Sequence, residues 1–125
     1  MDENSLSKEI IGAAIEVHKH LGPGLLESAY QACLEQELTL RGIAYEAQKA
    51  VPINYKGTKL DCGYRVDLLA GGLVLVELKA VEQILPIHDA QVLTYLKLMG
   101  LKLGLILNFN VILLKDGIKR LVLSL

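Results

Sequence analysis

Aromatic residues are scarce in this sequence, which has no tryptophan, one phenylalanine and five tyrosines among 125 residues. A core must therefore be built from aliphatic side chains, and a hydrophobic content of 52% is enough to supply them. An excess of charge of either sign is also lacking, because 13 Lys and Arg stand against 14 Asp and Glu. This balance argues against a uniformly basic nucleic-acid binder, so any basic surface must be local.

Cysteine and long apolar runs are few as well. Cys33 and Cys62 do not have metal-ligand spacing, and we expect two buried thiols in a reducing cytosol. The most apolar stretch, residues 98–114, is interrupted by one lysine and two asparagines and is too broken for a membrane span. The polar first nine residues lack the apolar core of a signal peptide. We therefore expect one cytoplasmic domain over residues 1–125, with no membrane partner.

Apolar periodicity and turn residues divide the chain into helices and strands. A first helix is predicted from a cap at Ser5 or Ser7 to Leu21, and a second runs through residues 25–42 with Gly42 as its C-terminal glycine. The predicted strands cover residues 45–57, 58–69, 73–80 and 101–110, a third helix covers residues 86–100, and Asp116-Gly117 predicts a final hairpin. The order α-α-β-β-β-α-β-β-β predicts an α+β domain with one mixed sheet.

The predicted strand at residues 73–80, LVLVELKA, is the most unusual segment of the chain. Its apolar residues indicate burial on both faces, yet Glu77 and Lys79 lie within it and alternate onto one face. Burying an ion costs several kcal/mol unless it is paired or binds a metal. Asp67 in the preceding strand completes a D-x9-E-x-K pattern. Two carboxylates suit Mg²⁺ or Mn²⁺, and a nearby lysine can orient a water molecule or stabilise developing negative charge.

The connection between these two strands decides whether both acids can reach one metal ion. A two-residue Gly71-Gly72 turn would place Asp67 and Glu77 on opposite faces of the sheet. A three-residue connection over residues 70–72 would pair Asp67 with Leu75 and place Glu77 on the face of Asp67. We therefore predict an odd-length connection, or a bulge with the same effect.

These residues and this order of elements resemble the PD-(D/E)xK nuclease superfamily, whose core is α-β-β-β-α-β. The segment GLLESAY, residues 24–30, is similar to the motif of the small bacterial and archaeal GxxExxY proteins. The resemblance implies a restriction-endonuclease-like fold with a mixed sheet flanked by helices. It also implies a Mg²⁺- or Mn²⁺-dependent nuclease acting on nucleic acid, with DNA favoured. A homodimer or a partner protein would fit a small nuclease that cuts both strands.

Two further site residues follow from the resemblance alone. Glu27 stands where an acid on the first core helix joins the metal site of the superfamily, and Gln91 with Tyr95 matches a Q-x3-Y motif of RecB-like nucleases. The proline that often precedes the first acid is absent here. The resemblance thus implies five catalytic residues, of which the three acids are metal ligands: Asp67, Glu77, Lys79, Glu27 and Gln91.

Simpler interpretations of the same residues remain open. Glu77 and Lys79 could lie on the solvated face of an edge strand, Glu27 could complement a helix dipole, and Gln91 could be an ordinary helix-surface residue. The whole chain could be a nuclease fold without catalysis that serves as a binding or regulatory module. A small-molecule-binding α+β domain is a third alternative, although few aromatic residues are present to line a pocket.

Overall fold

The computed structural model describes residues 1–123. Within them lie three α-helices, seven β-strands and one short 3-10 helix at Leu114–Gly117. The helices are α1 (Glu3–Leu21), α2 (Glu27–Leu40) and α3 (Pro86–Met99). The strands are β1 (Tyr45–Ala50), β2 (Ile53–Tyr55), β3 (Thr58–Leu60), β4 (Arg65–Ala70), β5 (Val74–Lys79), β6 (Leu103–Asn108) and β7 (Ile118–Val122).

Five strands form a mixed sheet in the order β1-β4-β5-β6-β7, and β2 and β3 form a separate hairpin. Neighbouring strands are antiparallel except β5 and β6, which are parallel and are joined through α3. A parallel pair requires such a crossover because its second strand must start again at the same end of the sheet. The α+β class and the restriction-endonuclease-like arrangement of a mixed sheet flanked by helices are thereby confirmed.

Helices cover both faces of the central strands. Val74, Val76 and Leu78 pack with α1 and α2 in one core, whereas Leu75 packs with α3 and Ile106 in a second core. This alternation explains why β5 reads as a nearly continuous apolar run. It also places Glu77 on the α3 face of the sheet, in the same row as Leu75.

The helix ends show one prediction corrected and one confirmed. Asp2 caps α1, because its Oδ1 accepts a hydrogen bond from the Ser5 N–H at 2.7 Å, so a cap at Ser5 or Ser7 is wrong. At the end of α2, Gly42 has a φ of 71° and the Ile43 N–H donates to the Leu38 carbonyl at 2.9 Å. This closure is the one that a C-terminal glycine permits.

Two predicted strands are each broken in the structure. Residues 45–57 divide into β1 and β2 around Pro52, which has no N–H to donate to a ladder. Residues 58–69 divide into β3 and β4, because Asp61 Oδ1 accepts a hydrogen bond from the Gly63 N–H at 2.9 Å and forms a local turn. Cys62 lies in this turn and is exposed, and Cys33 is half-buried, so the prediction of two buried thiols is wrong.

The hairpin predicted at Asp116-Gly117 is also wrong. These residues belong to the 3-10 helix at Leu114–Gly117, and β7 pairs with β6 instead of with a strand formed by residues 111–114. Gly117 lies so close to the end of β6 that a Cβ there would be 2.1 Å from the Asn108 carbonyl oxygen. Glycine is needed for this close approach, not for a two-residue turn. Within residues 1–123, no helix has the length and apolar character required to cross a membrane.

Candidate active site

The connection between β4 and β5 sets the geometry of the predicted site. Ala70 pairs with Val74, so the connecting residues are 71–73. The predicted odd length is confirmed, but the connection begins one residue later than expected. Continuing this register brings Asp67 directly opposite Glu77, so the two acids share one end of the β4–β5 pair.

Asp67 and Glu77 are held by the backbone of each other's strand. The Asp67 N–H donates to Glu77 Oε1 at 3.3 Å, and the Leu78 N–H donates to Asp67 Oδ2 at 2.8 Å. The regular pairing of β4 with β5 stops one step earlier, at Leu68 and Val76. Carboxylates therefore take the place of backbone carbonyls as acceptors where the two strands separate.

The pairing of β4 with its other neighbour, β1, is also interrupted at Asp67. Gln48 would face Asp67 in this register, but the two residues are not paired, and Gln48 has a φ of 50°. Such a φ is uncommon for a residue other than glycine. Val66 packs in the α3 core and Leu68 in the opposite core, so the alternation of side chains breaks at Asp67. Irregularities of this kind re-aim a side chain at the margin of a sheet.

Two glutamines that the sequence reasoning missed surround Asp67. The Gln31 side-chain amide donates to the Asp67 carbonyl oxygen at 3.1 Å. Gln48 Nε2 contacts Gln31 Oε1 at 3.2 Å and Asp67 Oδ1 at 3.4 Å. Gln31 could have been found, because it lies four residues after Glu27 on the same side of α2. Gln48 had no comparable signal, since its role depends on its unusual φ.

Glu77 is the electrostatic centre of the site. Its side chain is buried, with 7% of the residue exposed. Burial raises the pKa of Glu77 to about 8, helped by the negative charge of Asp67 and by the hydrogen bond between the two carboxyl groups. The Asp67 N–H and the positive charge of Lys79 act in the opposite direction. Lys79 is half-buried and lies two residues along β5, on the same face as Glu77.

Tyr95 of α3 lies on the face of the sheet that carries Glu77, where it packs with Leu75. It is 7% exposed, and its pKa is raised first by burial and then by the nearby charge of Glu77, by Tyr64 and by Asp67. The structure therefore brings the tyrosine of the Q-x3-Y motif toward the acids. Gln91 lies one helical turn earlier and is exposed, without a described hydrogen bond to either acid.

Glu27 is placed differently from the other acids. It is the first residue of α2 and is exposed, and the helix packs on the sheet face opposite Glu77. Helix α2 therefore does not cover the face of Glu77, because Tyr30, Leu34 and Leu38 turn that helix toward α1. Residues 1–123 contain no group of three or more acidic, His or Cys side chains arranged to hold a metal ion.

The donor set nevertheless suits a magnesium-like ion. Mg²⁺ is commonly held through one or two carboxylates, with water and substrate phosphates as the remaining ligands. Asp67 and Glu77 supply two such carboxylates in contact with each other. A buried acid whose pKa is raised by a like charge is also a group that a cation would stabilise. The residues present therefore fit a divalent metal ion.

The GLLESAY motif has a structural role that its tyrosine explains. The Tyr30 hydroxyl donates to the Gly22 carbonyl at 2.6 Å and accepts a hydrogen bond from the Leu25 N–H at 3.1 Å. Its ring stacks on Phe109 with the centroids 4.4 Å apart. Tyr30 thus fixes the loop from which α2 begins, and Glu27 and Gln31 project from that helix.

Comparison with known proteins assigns this chain to a family. A family model described as the PD-(D/E)XK nuclease superfamily matches residues 4–121. The chain belongs to the PD-(D/E)XK nuclease superfamily. Membership suggests nuclease activity and a nucleic-acid substrate, and nucleases of this superfamily generally use divalent metals. No curated protein and no solved structure matches the chain significantly, so the assignment depends on the family model.

Proposed function

We propose that this protein is a divalent-metal-dependent nuclease that hydrolyses phosphodiester bonds of nucleic acid, with DNA as the first substrate to test. One observation carries the proposal. Asp67 and Glu77 face each other at the separated end of β4 and β5, and Lys79 follows on the same face. Membership in a nuclease superfamily supports the same conclusion.

The proposed roles follow from the chemistry of each side chain. Asp67 and Glu77 would hold Mg²⁺ or Mn²⁺, which when bound makes a water molecule more acidic and offsets phosphate charge. Lys79 cannot ligate a cation, so its ammonium group would stabilise negative charge that develops on the phosphate oxygens. Glu27 is proposed as a third metal ligand and Gln91 as a further residue of the site.

The reaction adds water across one P–O bond. One fragment is left with a phosphate monoester and the other with a hydroxyl group, so the atoms balance without a redox partner. Glu77 must lose its proton before it can act as a ligand. Its raised pKa means that this proton is still largely present at neutral pH in the metal-free protein.

A nuclease fold that binds nucleic acid without cutting it is the second candidate. It is favoured by one observation, namely that residues 1–123 form no cluster of three or more metal-ligating side chains. The two candidates differ in whether bound metal leads to cleavage. The intact combination of Asp67, Glu77 and Lys79 favours catalysis, because a structural role would not need three ionisable groups together.

Cleavage of labelled oligonucleotides tests the proposal. Single-stranded, duplex and flapped DNA and RNA are incubated with the protein and with Mg²⁺, Mn²⁺ or a chelator. We expect cleavage that requires the metal, is lost in Asp67→Asn and is retained in Asp116→Asn, a control at an exposed acid. Metal binding without cleavage of any substrate would contradict the nuclease and favour the binding module.

The proposal also covers the family subgroup, the assembly and the compartment of the protein. The residues Gly24, Glu27 and Tyr30 support membership in the GxxExxY proteins. A homodimer would supply the second active site needed to cut both strands of a duplex, and a partner protein would supply affinity that the balanced charge of the chain does not. The cytoplasm is the proposed compartment, in keeping with the scarcity of cysteine.

A further inference from the structure

We infer that Tyr64 is a base-stacking residue that directs the site toward single-stranded nucleic acid. The inference deepens the proposed nuclease function by naming the substrate class and depends on that function for the cleavage step. The binding that it describes can be measured without cleavage. Three observations carry it: the position of the ring, the way its backbone is held, and the charge of the surrounding segment.

The ring of Tyr64 lies beside the ring of Tyr95 on α3. Tyr64 directly precedes β4, three residues before Asp67, and is 50% exposed. Its ring centroid is 6.2 Å from that of Tyr95, with the two planes tilted by 53°. Tyr95 packs in the α3 core with Val66, the residue before Asp67, and with Leu75, which shares a face of β5 with Glu77. The exposed ring of Tyr64 therefore lies on the side of the sheet that carries Glu77.

The backbone of Tyr64 is held firmly. Its carbonyl oxygen accepts a hydrogen bond from the Val51 N–H at 3.0 Å and a second from Arg65 Nη1 at 2.9 Å. Val51 is itself buried in the α3 core. With its backbone fixed, Tyr64 has only two side-chain torsions to order when a base stacks on its ring, so the conformational entropy lost on binding is small.

The segment that contains Tyr64 is locally basic. Residues 48–65 carry four basic side chains and only one acid, Asp61, for a net charge of +3. The whole chain has a net charge of −1, so the remaining residues together carry −4. The basic side chains of the segment are Lys49, Lys56, Lys59 and Arg65. Arg65 pairs with Asp61 at 3.6 Å, and Lys49 pairs with Glu46, just before the segment, at 3.4 Å, so Lys56 and Lys59 supply the excess of positive charge. Positive charge on a segment that carries an exposed ring is the combination that single-strand-binding proteins use.

Stacking also selects the form of the nucleic acid. Bases in a duplex are already stacked on each other, and a protein ring can reach a base face only after that base is unpaired and turned out. A single strand presents its bases without this cost. The contact with Tyr64 therefore favours a single strand over a duplex of the same sequence.

Fluorescence anisotropy with a labelled oligonucleotide tests the inference, with a chelator present to prevent cleavage. The same sequence is offered as single-stranded DNA, single-stranded RNA and duplex DNA to wild type, Tyr64→Ala, Tyr64→Phe and Tyr64→Trp. We expect Tyr64→Ala to weaken single-strand binding by roughly 5- to 150-fold, the range expected from losing the stacking of one base. Phe should retain the affinity and Trp should retain or increase it, while duplex binding changes much less.

Tyr55→Ala is the matched control. Tyr55 is 61% exposed on the β2–β3 hairpin, but its ring contacts Lys56 instead of Tyr95. We expect this variant to keep the single-strand preference. Unchanged binding in Tyr64→Ala, an equal loss in Tyr55→Ala, an equal loss for duplex, or a loss in Tyr64→Phe or Tyr64→Trp would each overturn the inference.

The inference and the proposed function can fail separately. Metal-dependent cleavage with binding that is indifferent to Tyr64 would overturn the inference and leave the nuclease standing. Single-strand binding that depends on Tyr64, without cleavage by Mg²⁺ or Mn²⁺, would support the inference and contradict the nuclease. The absence of both single-strand binding and cleavage would overturn both.

Discussion

Asp67 and Glu77 are each held by a hydrogen bond from the backbone of the other's strand. The Asp67 N–H donates to the Glu77 carboxylate, and the Leu78 N–H, one residue beyond Glu77, donates to the Asp67 carboxylate. Each acid is therefore positioned by the strand that carries the other one. The contact also places two carboxyl groups close together in a buried site, so ionising both of them costs free energy in the metal-free protein.

Neutralising Glu77 should stabilise the metal-free protein at high pH. The pKa of Glu77 is about 8 in the folded protein and 4.5 in the unfolded reference, so between these values the folded state binds a proton that the unfolded state does not. The contribution of the protonated Glu77 to the free energy of unfolding is fully present below about pH 4.5 and is lost as pH rises through about 8. A pKa shift is worth about 1.4 kcal/mol per unit. Above pH 8 the free energy of unfolding of Glu77→Gln should therefore exceed that of wild type by on the order of a few kcal/mol.

Urea unfolding of the metal-free protein across this pH range measures the effect. The gain in Glu77→Gln should shrink toward zero in acid, where wild-type Glu77 is already protonated. The matched control is Glu82→Gln, an exposed acid after β5, for which we expect a change within about 0.5 kcal/mol. A Glu77→Gln variant that is less stable than wild type at high pH would contradict the assignment of a strained, buried acid.

Added Mg²⁺ should raise the melting temperature of wild type, and more so at higher pH. The metal competes with the proton on Glu77, so apparent affinity should fall about tenfold for each pH unit below about 8. A metal concentration of about one hundred times the Kd would add about 2.7 kcal/mol of stability. Asp67→Ala and Glu77→Ala should remain folded and lose this shift. Unfolding of either variant with unchanged metal affinity would show that the acids are structural.

Replacing Lys79 should separate catalysis from metal binding. We expect Lys79→Ala to lower kcat by roughly a hundred- to a thousandfold while the Mg²⁺ affinity stays within about threefold, because an ammonium group does not ligate a cation. Single-turnover cleavage and the melting-temperature shift with Mg²⁺ measure the two quantities. Lys97→Ala, at an exposed lysine of α3, serves as the control. Wild-type activity in Lys79→Ala would remove the lysine from the chemistry.

Removing the Tyr30 hydroxyl should weaken the start of α2 without disturbing the core. Tyr30→Phe keeps the stacking on Phe109 but loses the hydrogen bonds to the Gly22 carbonyl and the Leu25 N–H. We expect a loss of about 1 kcal/mol in the free energy of unfolding. Chemical denaturation against Tyr55→Phe, at an exposed tyrosine, measures it. Equal stability of the two variants would show that the Tyr30 hydroxyl does not stabilise the loop.

Much of the site could be predicted from the sequence because its signals are local. Alternation along a strand places Glu77 and Lys79 on one face whatever the rest of the chain does. Gly42 ends α2 because its left-handed conformation is a local requirement. The run of apolar residues in β5 indicates burial on both faces, and the two cores on either side of the sheet confirm it.

The tertiary structure alone decided which residues meet. Moving the three-residue connection from 70–72 to 71–73 changes the residue opposite Asp67 from Leu75 to Glu77. The φ of Gln48, the contact of Gln31 with Asp67 and the approach of Tyr64 to Tyr95 all depend on packing between distant segments. Local propensities differ by only tenths of a kcal/mol between such alternatives, whereas burial of the two cores contributes far more. The residue types of the site can be predicted from the sequence. The strand register and the partners of Asp67 follow from packing across the whole domain.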